Sequence, residues 1–419
     1  EYSPRLATGL IAGLLSTGAR VRNIGLATSP MVYFAQATLG NLAGVSVTAS
    51  HNPNGWAGFK LAFDPSRSMG PDEIQQLRDL IDAEDYERGE GVYSEQVIVN
   101  EYVEYLASRW PAPRPMKVMV DGANSISGSI AEIALTAAGY EVVAINAELD
   151  WSFPNHEPDP ESVEARRQIS DAVVDHAADV GLSFDGDGDR GGVTDEKGGI
   201  VWPDIVLSLL ASDVLVRHPG VSVVYDVKCS RSVGETVEGL GGQAVMWMTG
   251  HSHIKSKLAE IGRGFGGERS GHYFDSLDYF GFDDGLYAGL RVLDILARRN
   301  DSSSEAFAPF RRYVASPTMQ AACPDEVKYD VVERFAAAAE AFEGASTIRI
   351  NGVRVEFDDG WLLVRASSNL PALVMVAEAE DAAGLERLYG LLRAGLDALP
   401  DVDPHWMNDP FSGTRSVTS

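Results

Sequence analysis

The chain has 419 residues, of which 45% are hydrophobic and 23% charged. These values predict a soluble globular protein of two to four domains. A formal net charge of −27 at pH 7 argues against nucleic acid and anionic membrane as partners. No apolar run reaches the roughly 18 residues of a membrane-spanning helix, and residues 1–5 lack a signal-peptide pattern. Two distant cysteines, Cys229 and Cys323, predict free thiols, so we expect a cytoplasmic protein.

The first three quarters of the chain alternate predicted helices and strands. Apolar residues at helical spacing predict a helix over residues 5–17. Apolar strands are predicted over 117–121 and 221–226, the first followed by a helix from about Ile130 and the second by a helix ending near Gly241. This alternation indicates α/β units whose functional loops lie at the carboxyl ends of the strands.

The pattern changes from about residue 312. A helix over 331–342 precedes a hairpin, 348–350 and 353–357, joined at an Asn-Gly turn. A strand over 373–377 and an amphipathic helix over 385–399 complete a small α+β domain, and we expect loose structure after about residue 404.

The most informative motif is Asp185-Gly186-Asp187-Gly188-Asp189-Arg190. Three alternating carboxylates can converge on one hard cation, because the glycines let the backbone wrap closely around it. Mg²⁺ accepts such oxygen ligands and usually completes its shell with substrate phosphate. The adjacent Arg190 adds a second positive group. The motif therefore predicts a metal-and-phosphate site.

Two other interpretations of this motif remain open. The D-x-D-x-D pattern also begins calcium-binding loops, and Glu196 occupies the twelfth position that such loops require. However, the sixth position, which needs a glycine, is Arg190, and short strands are predicted on both sides. The second interpretation is a solvated acidic turn.

A second motif, Thr48-Ala49-Ser50-His51-Asn52-Pro53-Asn54-Gly55, follows an apolar strand. Its Asn, Pro and Gly content predicts a tight loop that presents a hydroxyl beside an imidazole. Serine needs a base or a metal to act as a nucleophile, so beside a metal site it predicts a phosphorylatable Ser50. The alternative is a polar turn in which Ser50 caps a helix.

Two further stretches are candidates for substrate binding. Residues 267–272 (Gly-Glu-Arg-Ser-Gly-His) place Glu268 and Ser270 where they could bind vicinal sugar hydroxyls, although an ordinary β-turn is an equal alternative. Residues 365–371 combine Arg365, two hydroxyls and an amide in a loop suited to binding a dianion. The alternative interpretation is an ordinary hairpin loop.

In this order and at these distances, the four motifs resemble those of the α-D-phosphohexomutases. The resemblance extends over nearly the whole chain and is supported by residues 153–160, 226–229, 249–252 and 281–285. It implies three related α/β domains with mixed sheets and a smaller C-terminal α+β domain around a central cleft. The expected domains are 1–96, 97–199, 200–311 and 312–404, with a tail at 405–419. Chains of this family begin with a further strand and an Arg/Gly loop, which the present sequence lacks.

The resemblance also implies a role for each motif. Ser50 would carry a phosphoryl group and, with Asp185, Asp187 and Asp189, bind one Mg²⁺. Substrate would be bound by residues of two motifs and two supporting segments: Lys228, Gly250, His251, Glu268, Ser270, His272, Arg365, Ser367, Ser368 and Asn369.

The implied reaction interconverts hexose 1- and 6-phosphates of mannose or glucose through a phosphoserine and a bisphosphorylated sugar, with a hexose 1,6-bisphosphate as activator. Ser50, Arg190, His51, Lys60 and His272 form the catalytic set, the last three being candidates for proton transfer. We expect phosphorylated hexoses as ligands and a monomer or weak homodimer.

Three alternatives remain open at this stage. The first is a phosphoglucosamine mutase, since Arg269 matches neither substrate preference. The second is a catalytically silent sugar-phosphate-binding protein, suggested by Asn369 in place of a family Thr. The third is a Mg²⁺-dependent phosphatase, in which Ser50 would be a mere loop residue.

Overall fold

The computed structural model describes residues 2–52, 54–64, 67–310, 313–368, 370–397 and 399–403. The whole predicted tail over 405–419 therefore lies outside the described residues, as do Asn369 and Pro53. The described elements form four successive units, each with its own helices and strands.

The N-terminal unit combines helices with two small sheets. Its elements are α1 (Ser3–Ser16), β1 (Arg20–Asn23), α2 (Ser29–Leu39), β2 (Gly44–Thr48), β3 (Gly58–Asp64), β4 (Arg67–Ser68), α3 (Pro71–Asp82) and β5 (Val92–Glu95). Strand β1 pairs in parallel with β5, and β2, β3 and β4 form an antiparallel sheet in that order. The Thr28 side chain caps α2 by accepting from the Met31 amide. The turn between β2 and β3 carries Ser50.

The second unit is a mixed five-stranded sheet with the order β10-β9-β8-β6-β7. Its elements are α4 (Val99–Arg109), β6 (Lys117–Asp121), α5 (Ile126–Ala138), β7 (Glu141–Ile145), α6 (Val163–Asp175), β8 (Val180–Phe184), β9 (Gly191–Asp195) and β10 (Ile200–Val201). Strands β6, β7 and β8 are parallel, whereas β9 returns antiparallel beside β8. Every residue of β8 is buried, as expected for an interior strand covered on both faces.

The third unit is a four-stranded sheet with the order β12-β11-β13-β14. Its elements are α7 (Pro203–Arg217), β11 (Ser222–Asp226), α8 (Arg231–Gly239), β12 (Gln243–Trp247), α9 (His251–Ile261), β13 (Gly264–Gly267), β14 (Tyr273–Asp275), α10 (Gly285–Arg298) and α11 (Ser303–Phe307). The sheet is parallel except for its last strand. The predicted strands over 117–121 and 221–226 correspond to β6 and β11, although the helix expected from Ile130 already begins at Ile126.

The C-terminal unit is an antiparallel sheet covered by two helices. Its elements are β15 (Val314–Ala315), β16 (Met319–Ala322), α12 (Lys328–Ala339), β17 (Ser346–Ile348), β18 (Val353–Phe357), β19 (Gly360–Ala366), β20 (Ala372–Ala379) and α13 (Ala382–Leu396). The main strand order is β15-β20-β19-β18-β17, and β16 also pairs with β20. The predicted hairpin at the Asn-Gly turn is β17 and β18.

The hydrophobic core has two main parts. A continuous cluster joins the first three units and includes Phe34, Tyr102, Leu182 and Phe265. The C-terminal unit has a separate core between its sheet and its helices. A small cluster of Val227, Trp361, Leu363 and Val376 joins that unit to the end of β11. The functional motifs therefore approach one another where the four units meet.

Candidate active site

The three aspartates lie in the turn between β8 and β9, which we call the metal loop (residues 185–190). Asp185, Asp187 and Asp189 are 0%, 4% and 0% exposed. One carboxylate oxygen from each lies within 4.8 Å of the others. Buried like charges this close repel one another and require a cation. The solvated-turn interpretation is therefore wrong.

The calcium-loop interpretation also fails, because strands and not helices flank the turn. Glu196, the expected twelfth ligand, faces the start of α11 instead. It accepts hydrogen bonds from the hydroxyls of Ser303 and Ser304, at 2.7 Å and 2.6 Å.

Glycine allows the metal loop to contact the serine loop. A Cβ at Gly186 would lie 2.5 Å from the Ser50 carbonyl oxygen, and Gly188 has a φ of +76°. The Ser29 amide donates to the Asp187 carbonyl at 2.9 Å, and the Gly285 amide donates to the Gly188 carbonyl at 3.1 Å. Three units of the fold therefore hold this loop in place.

Ser50 lies in a turn between β2 and β3 and caps no helix. Its φ of 54° is unusual for a residue with a side chain. Its amide donates to the Thr48 hydroxyl at 2.8 Å, and its Oγ lies 3.1 Å from His51 Nδ1. Burial, followed by the charge of Arg190, lowers the pKa of His51 to about 4. A neutral imidazole therefore lies beside the serine hydroxyl.

Lys60 lies at the metal loop and is not a surface lysine. Its Nζ donates to Asp187 Oδ2 at 2.8 Å and also contacts Asp189 Oδ2. Burial opposes its charge, but the two carboxylates outweigh burial and hold the pKa of Lys60 well above its ordinary value. The Ser29 and Thr48 hydroxyls also donate to Asp187 Oδ2, at 2.7 Å and 2.9 Å.

The donor set of the metal loop fits a hard dication such as Mg²⁺. Among the described residues, Asp187 Oδ1 and Asp189 Oδ1 are buried without a hydrogen-bond partner. Arg190 Nε donates to Asp185 Oδ2 at 3.0 Å. Burial, followed by the charge of Asp189, raises the pKa of Asp185 to about 7. Clustered carboxylates with free oxygens are the ligands that Mg²⁺ prefers.

Residues 267–272, the sugar loop, connect β13 to β14 and reach the metal loop. His272 Nδ1 lies 3.2 Å from Glu268 Oε2, and His272 Nε2 lies 3.4 Å from Asp189 Oδ1. Burial disfavours the imidazolium, but Asp189 and Glu268 raise the pKa of His272 to about 10. Ser270 Oγ is 3.0 Å from His272 Nδ1, and the Gly250 amide donates to Glu268 Oε1 at 2.5 Å.

The His251 ring stacks on that of His272, with centroids 5.9 Å apart. Burial and then Lys255 lower the pKa of His251 to about 4. A buried ion pair supports both rings: Lys255 Nζ lies 3.0 Å from Asp283 Oδ1. Asp283 Oδ2 is 3.7 Å from His251 Nδ1 and 4.0 Å from His272 Nε2. In the sequence, Asp283 is recognisable as the first residue of the Asp-Asp pair that precedes α10.

Residues 226–229, the Lys228 loop, follow β11 and lie beside the sugar loop. Lys228 Nζ is 3.5 Å from Asp226 Oδ2, which also accepts from the Thr249 hydroxyl at 2.9 Å. Asp226 Oδ1 accepts from the Arg269 amide at 3.2 Å. These bonds hold the Lys228 loop and the sugar loop together.

Residues 365–371, the phosphate loop, connect β19 to β20. Arg365 is buried, and its Nε has no hydrogen-bond partner among the described residues. Burial lowers the pKa of Arg365, while Asp226 and Glu268 oppose that shift. Ser367 is buried, its carbonyl accepts from Lys328 Nζ at 2.6 Å, and Ser368 is exposed. The buried guanidinium, with its unpartnered Nε, interacts electrostatically with carboxylates of the Lys228 loop and the sugar loop and is suited to an anion.

Comparisons with known proteins agree with this arrangement. Four domain families match in order: phosphoglucomutase/phosphomannomutase alpha/beta/alpha domain I (residues 1–88), domain II (100–199), domain III (202–313) and the C-terminal domain (319–391). The phosphomannomutase/phosphoglucomutase of Pseudomonas aeruginosa is 38% identical over 401 residues, covering 96% of this chain and 86% of that protein. The chain belongs to the phosphoglucomutase/phosphomannomutase family.

Other relatives support the same assignment. A phosphoglucomutase of Neisseria gonorrhoeae is 38% identical over 403 residues, covering 95% of this chain and 87% of that protein. The crystal structure of a phosphoglucomutase/phosphomannomutase family protein from Burkholderia thailandensis has a TM-score of 0.89 at 36% identity, covering 96% of this chain and 88% of that one. The predicted family and fold class are thus confirmed. Among the described residues, no helix is long and apolar enough to cross a membrane.

Proposed function

We propose that this protein interconverts hexose 1-phosphates and hexose 6-phosphates of mannose and glucose. The observation that carries the proposal is the contact between the metal loop and the serine loop, where a Cβ at Gly186 would lie 2.5 Å from the Ser50 carbonyl oxygen. This contact brings a hydroxyl nucleophile next to three carboxylates that fit a dication. Lys60 contacts the same metal loop, and the sugar loop that carries Glu268 reaches it through His272.

In the proposed reaction, phosphorylated Ser50 transfers its phosphoryl group to the free hydroxyl of the bound sugar phosphate. The resulting bisphosphorylated sugar turns over within the cleft and returns its other phosphate to Ser50. Asp185, Asp187 and Asp189, with the phosphoserine, would hold one Mg²⁺, which offsets negative charge on the transferring group. A hexose 1,6-bisphosphate would activate the unphosphorylated protein.

The surrounding residues bind and orient the sugar. We assign the sugar hydroxyls to Glu268 and Ser270, since their loop reaches the metal loop through His272. The non-reacting phosphate is assigned to Arg365, with its buried and unpartnered Nε, and to Lys228. The remaining proposed substrate contacts are Gly250, His251, His272, Ser367, Ser368 and Asn369.

Proton transfer is assigned to a group of three residues. His51 lies beside Ser50, while Lys60 and His272 contact the two different carboxylate oxygens of Asp189. Arg190, bonded to Asp185, stabilises negative charge. Water must be excluded while the bisphosphate turns over, since hydrolysis would convert the enzyme into a phosphatase. Closure of the C-terminal unit over the cleft would meet that requirement.

Two experiments test the proposal. Intact-mass spectrometry should detect one added phosphate on the wild-type protein after incubation with glucose 1,6-bisphosphate and Mg²⁺, and none on Ser50→Ala. A coupled assay should detect conversion of glucose 1-phosphate and mannose 1-phosphate, with the Ser50→Ala rate at background. Phosphate release that survives Ser50→Ala would establish the phosphatase instead, and binding without turnover a silent sugar-phosphate-binding protein.

Substrate preference is tested by comparing kcat/KM for glucose, mannose and glucosamine phosphates. A second candidate, glucosamine phosphate, is favoured by one relative: the probable phosphoglucosamine mutase of Methanopyrus kandleri is 31% identical over 90% of this chain and 83% of that protein. We further propose a cytoplasmic monomer or weak homodimer, with domains at residues 1–96, 97–199, 200–311 and 312–404.

A further inference from the structure

One face of the C-terminal sheet is directed at the third unit and not at its own core. Directly paired residues of neighbouring strands share a face: Arg354 pairs with Leu363, and Leu363 pairs with Val376. Leu363 and Val376 pack with Val227 of the Lys228 loop. The opposite face, with Val353 and Val355, forms the core of the unit. We call the first face the docking face.

Arg354 is the central polar residue of the docking face. It is 1% exposed, and its guanidinium carbon lies 3.5 Å from the centroid of the Trp361 ring. Its Nη1 donates to the carbonyls of Val227 and Cys229, at 2.7 Å and 2.9 Å. One side chain of the C-terminal unit therefore binds the backbone on both sides of Lys228.

Two arginines of the third unit donate hydrogen bonds to the C-terminal unit. Arg269 of the sugar loop donates from Nη1 to the Lys228 carbonyl at 3.2 Å and from Nη2 to the Ser316 carbonyl at 2.6 Å. Arg231, at the start of α8, donates from Nε to Glu356 Oε2 at 2.9 Å. All three carbonyls from Val227 to Cys229 thus accept from a guanidinium, and two units supply the donors.

The docking face leads directly to the phosphate loop. In β19, Trp361, Leu363 and Arg365 alternate along one face, so Arg365 extends the surface on which Arg354 lies. Any change in how this face rests on the Lys228 loop therefore changes the distance between Arg365 and Lys228. Charge-assisted hydrogen bonds to a phosphate depend on that distance.

We propose that Arg354 is a positioning residue for the substrate phosphate. It seats the phosphate loop against the Lys228 loop, so that Arg365 and Lys228 bind the non-reacting phosphate from two units of the fold. This inference rests on the proposed function and deepens it. The site is assembled only when the docking face is in contact, which couples sugar-phosphate binding to the docking of the C-terminal unit.

The test compares the full-length wild-type protein with Arg354→Met, which keeps the apolar stem and removes the hydrogen bonds. We expect KM for glucose 1-phosphate to rise about tenfold to hundredfold, the range for losing hydrogen bonds to a charged group. We expect kcat to change less, because the non-reacting phosphate is bound alike in the ground state and the transition state. Arg354→Lys, which can still donate to both carbonyls, should recover most of the lost affinity.

Arg349→Met is the matched control. It makes the same substitution in the same hairpin, but Arg349 is 43% exposed and pairs with Glu333 on the surface. Its KM should equal that of the wild type. An unchanged KM in folded Arg354→Met would overturn the proposal. If Arg354→Met does not fold, Arg231→Met disrupts the contact from the other unit; a raised KM there supports the proposal, and an unchanged one overturns it.

A double variant tests whether Arg354 acts through the phosphate loop. In an Arg365→Gln background, Arg354→Met should change KM by less than about threefold, because the loop it seats has already lost its cation. If the two substitutions raise KM independently, so that the fold-changes of the single variants multiply in the double variant, the proposal is overturned. Calorimetric titration of glucose 6-phosphate in a Ser50→Ala background, which lacks the proposed nucleophile, measures the same binding without turnover. The inference therefore remains testable even if the wild-type protein shows no mutase activity.

Discussion

The contact between the metal loop and Ser50 leads to a sharp prediction for Gly186→Ala. The added Cβ would lie 2.5 Å from the Ser50 carbonyl oxygen and 3.3 Å from Pro158 Cβ. Real Cβ contacts begin at 3.0 Å, so the two loops must separate by roughly 0.5 Å. Because both neighbours belong to packed loops, no flexible side-chain end can move aside to relieve this clash.

The expected cost follows from that displacement. A 1 Å misplacement of reacting groups can cost about 100-fold in rate, so half that distance predicts a loss on the order of tenfold in kcat. Forcing a methyl group into a packed site should also lower the free energy of unfolding by about 1–3 kcal/mol. KM should change little, because Gly186 lies between the nucleophile and the metal ligands and not against the proposed sugar contacts.

The assay is a coupled mutase measurement at saturating Mg²⁺ and glucose 1-phosphate, with urea unfolding in parallel. Gly390→Ala is the control, since a Cβ there meets nothing within 4 Å and the residue lies in α13. That variant should keep wild-type kcat and gain about 0.5–1 kcal/mol from helix propensity. A wild-type kcat in Gly186→Ala would refute the argument that this glycine sets the distance between the two loops.

Two further predictions concern buried charges. Lys60→Met leaves Asp187 and Asp189 buried without their ammonium partner, so metal-free protein should lose about 3–5 kcal/mol of unfolding free energy. This loss of unfolding free energy should be smaller in excess Mg²⁺. Urea unfolding of wild type and Lys60→Met, with Mg²⁺ and with EDTA, measures the two losses, and equal losses would contradict the prediction. Burial opposes the charge of His156, but the Asp121 carboxylate, whose Oδ1 is hydrogen-bonded to His156 Nε2 at 3.2 Å, raises the pKa of His156 above the ordinary 6.5. The stabilisation that the charged His156–Asp121 pair contributes is fully present below pH 6.5 and is lost as the pH rises through the raised pKa of His156. The stability difference between wild type and His156→Gln should therefore narrow from pH 6 to pH 9, and a widening difference would show the opposite sign.

Motifs that occupy a single turn were predictable from the sequence, because their geometry is local. The strand over 180–184 ends directly in the metal loop, and the alternating glycines allow its three carboxylates to converge. Adjacent residues rarely direct side chains at each other, yet Ser50 and His51 do so here, at 3.1 Å. The positive φ of Ser50 turns the two side chains together, and a sequence pattern carries no such dihedral angle.

Contacts that join distant elements were not predictable. Ser29 lies 158 residues from Asp187 and donates to its carboxylate, although the sequence shows only the start of α2. The alternation of Val353, Arg354, Val355 and Glu356 is typical of a half-exposed strand, but both charged residues lie against the third unit. Periodicity identifies which side chains share a face, whereas burial of that face depends on the packing of another unit.

The net charge of −27 by itself opposes an anionic substrate, but the distribution of charge resolves the conflict. Arg365 is a buried cation whose Nε has no hydrogen-bond partner within the described part of the chain, and Lys228 lies in the loop against which its sheet docks. Burial lowers the pKa of Arg365, which means that the protein keeps this charge desolvated at a cost. In the proposed site, a phosphate bound between Arg365 and Lys228 would remove that cost, whereas a neutral sugar would not. Under the proposed function, the local charge therefore selects for phosphorylated hexoses despite the acidic remainder of the surface.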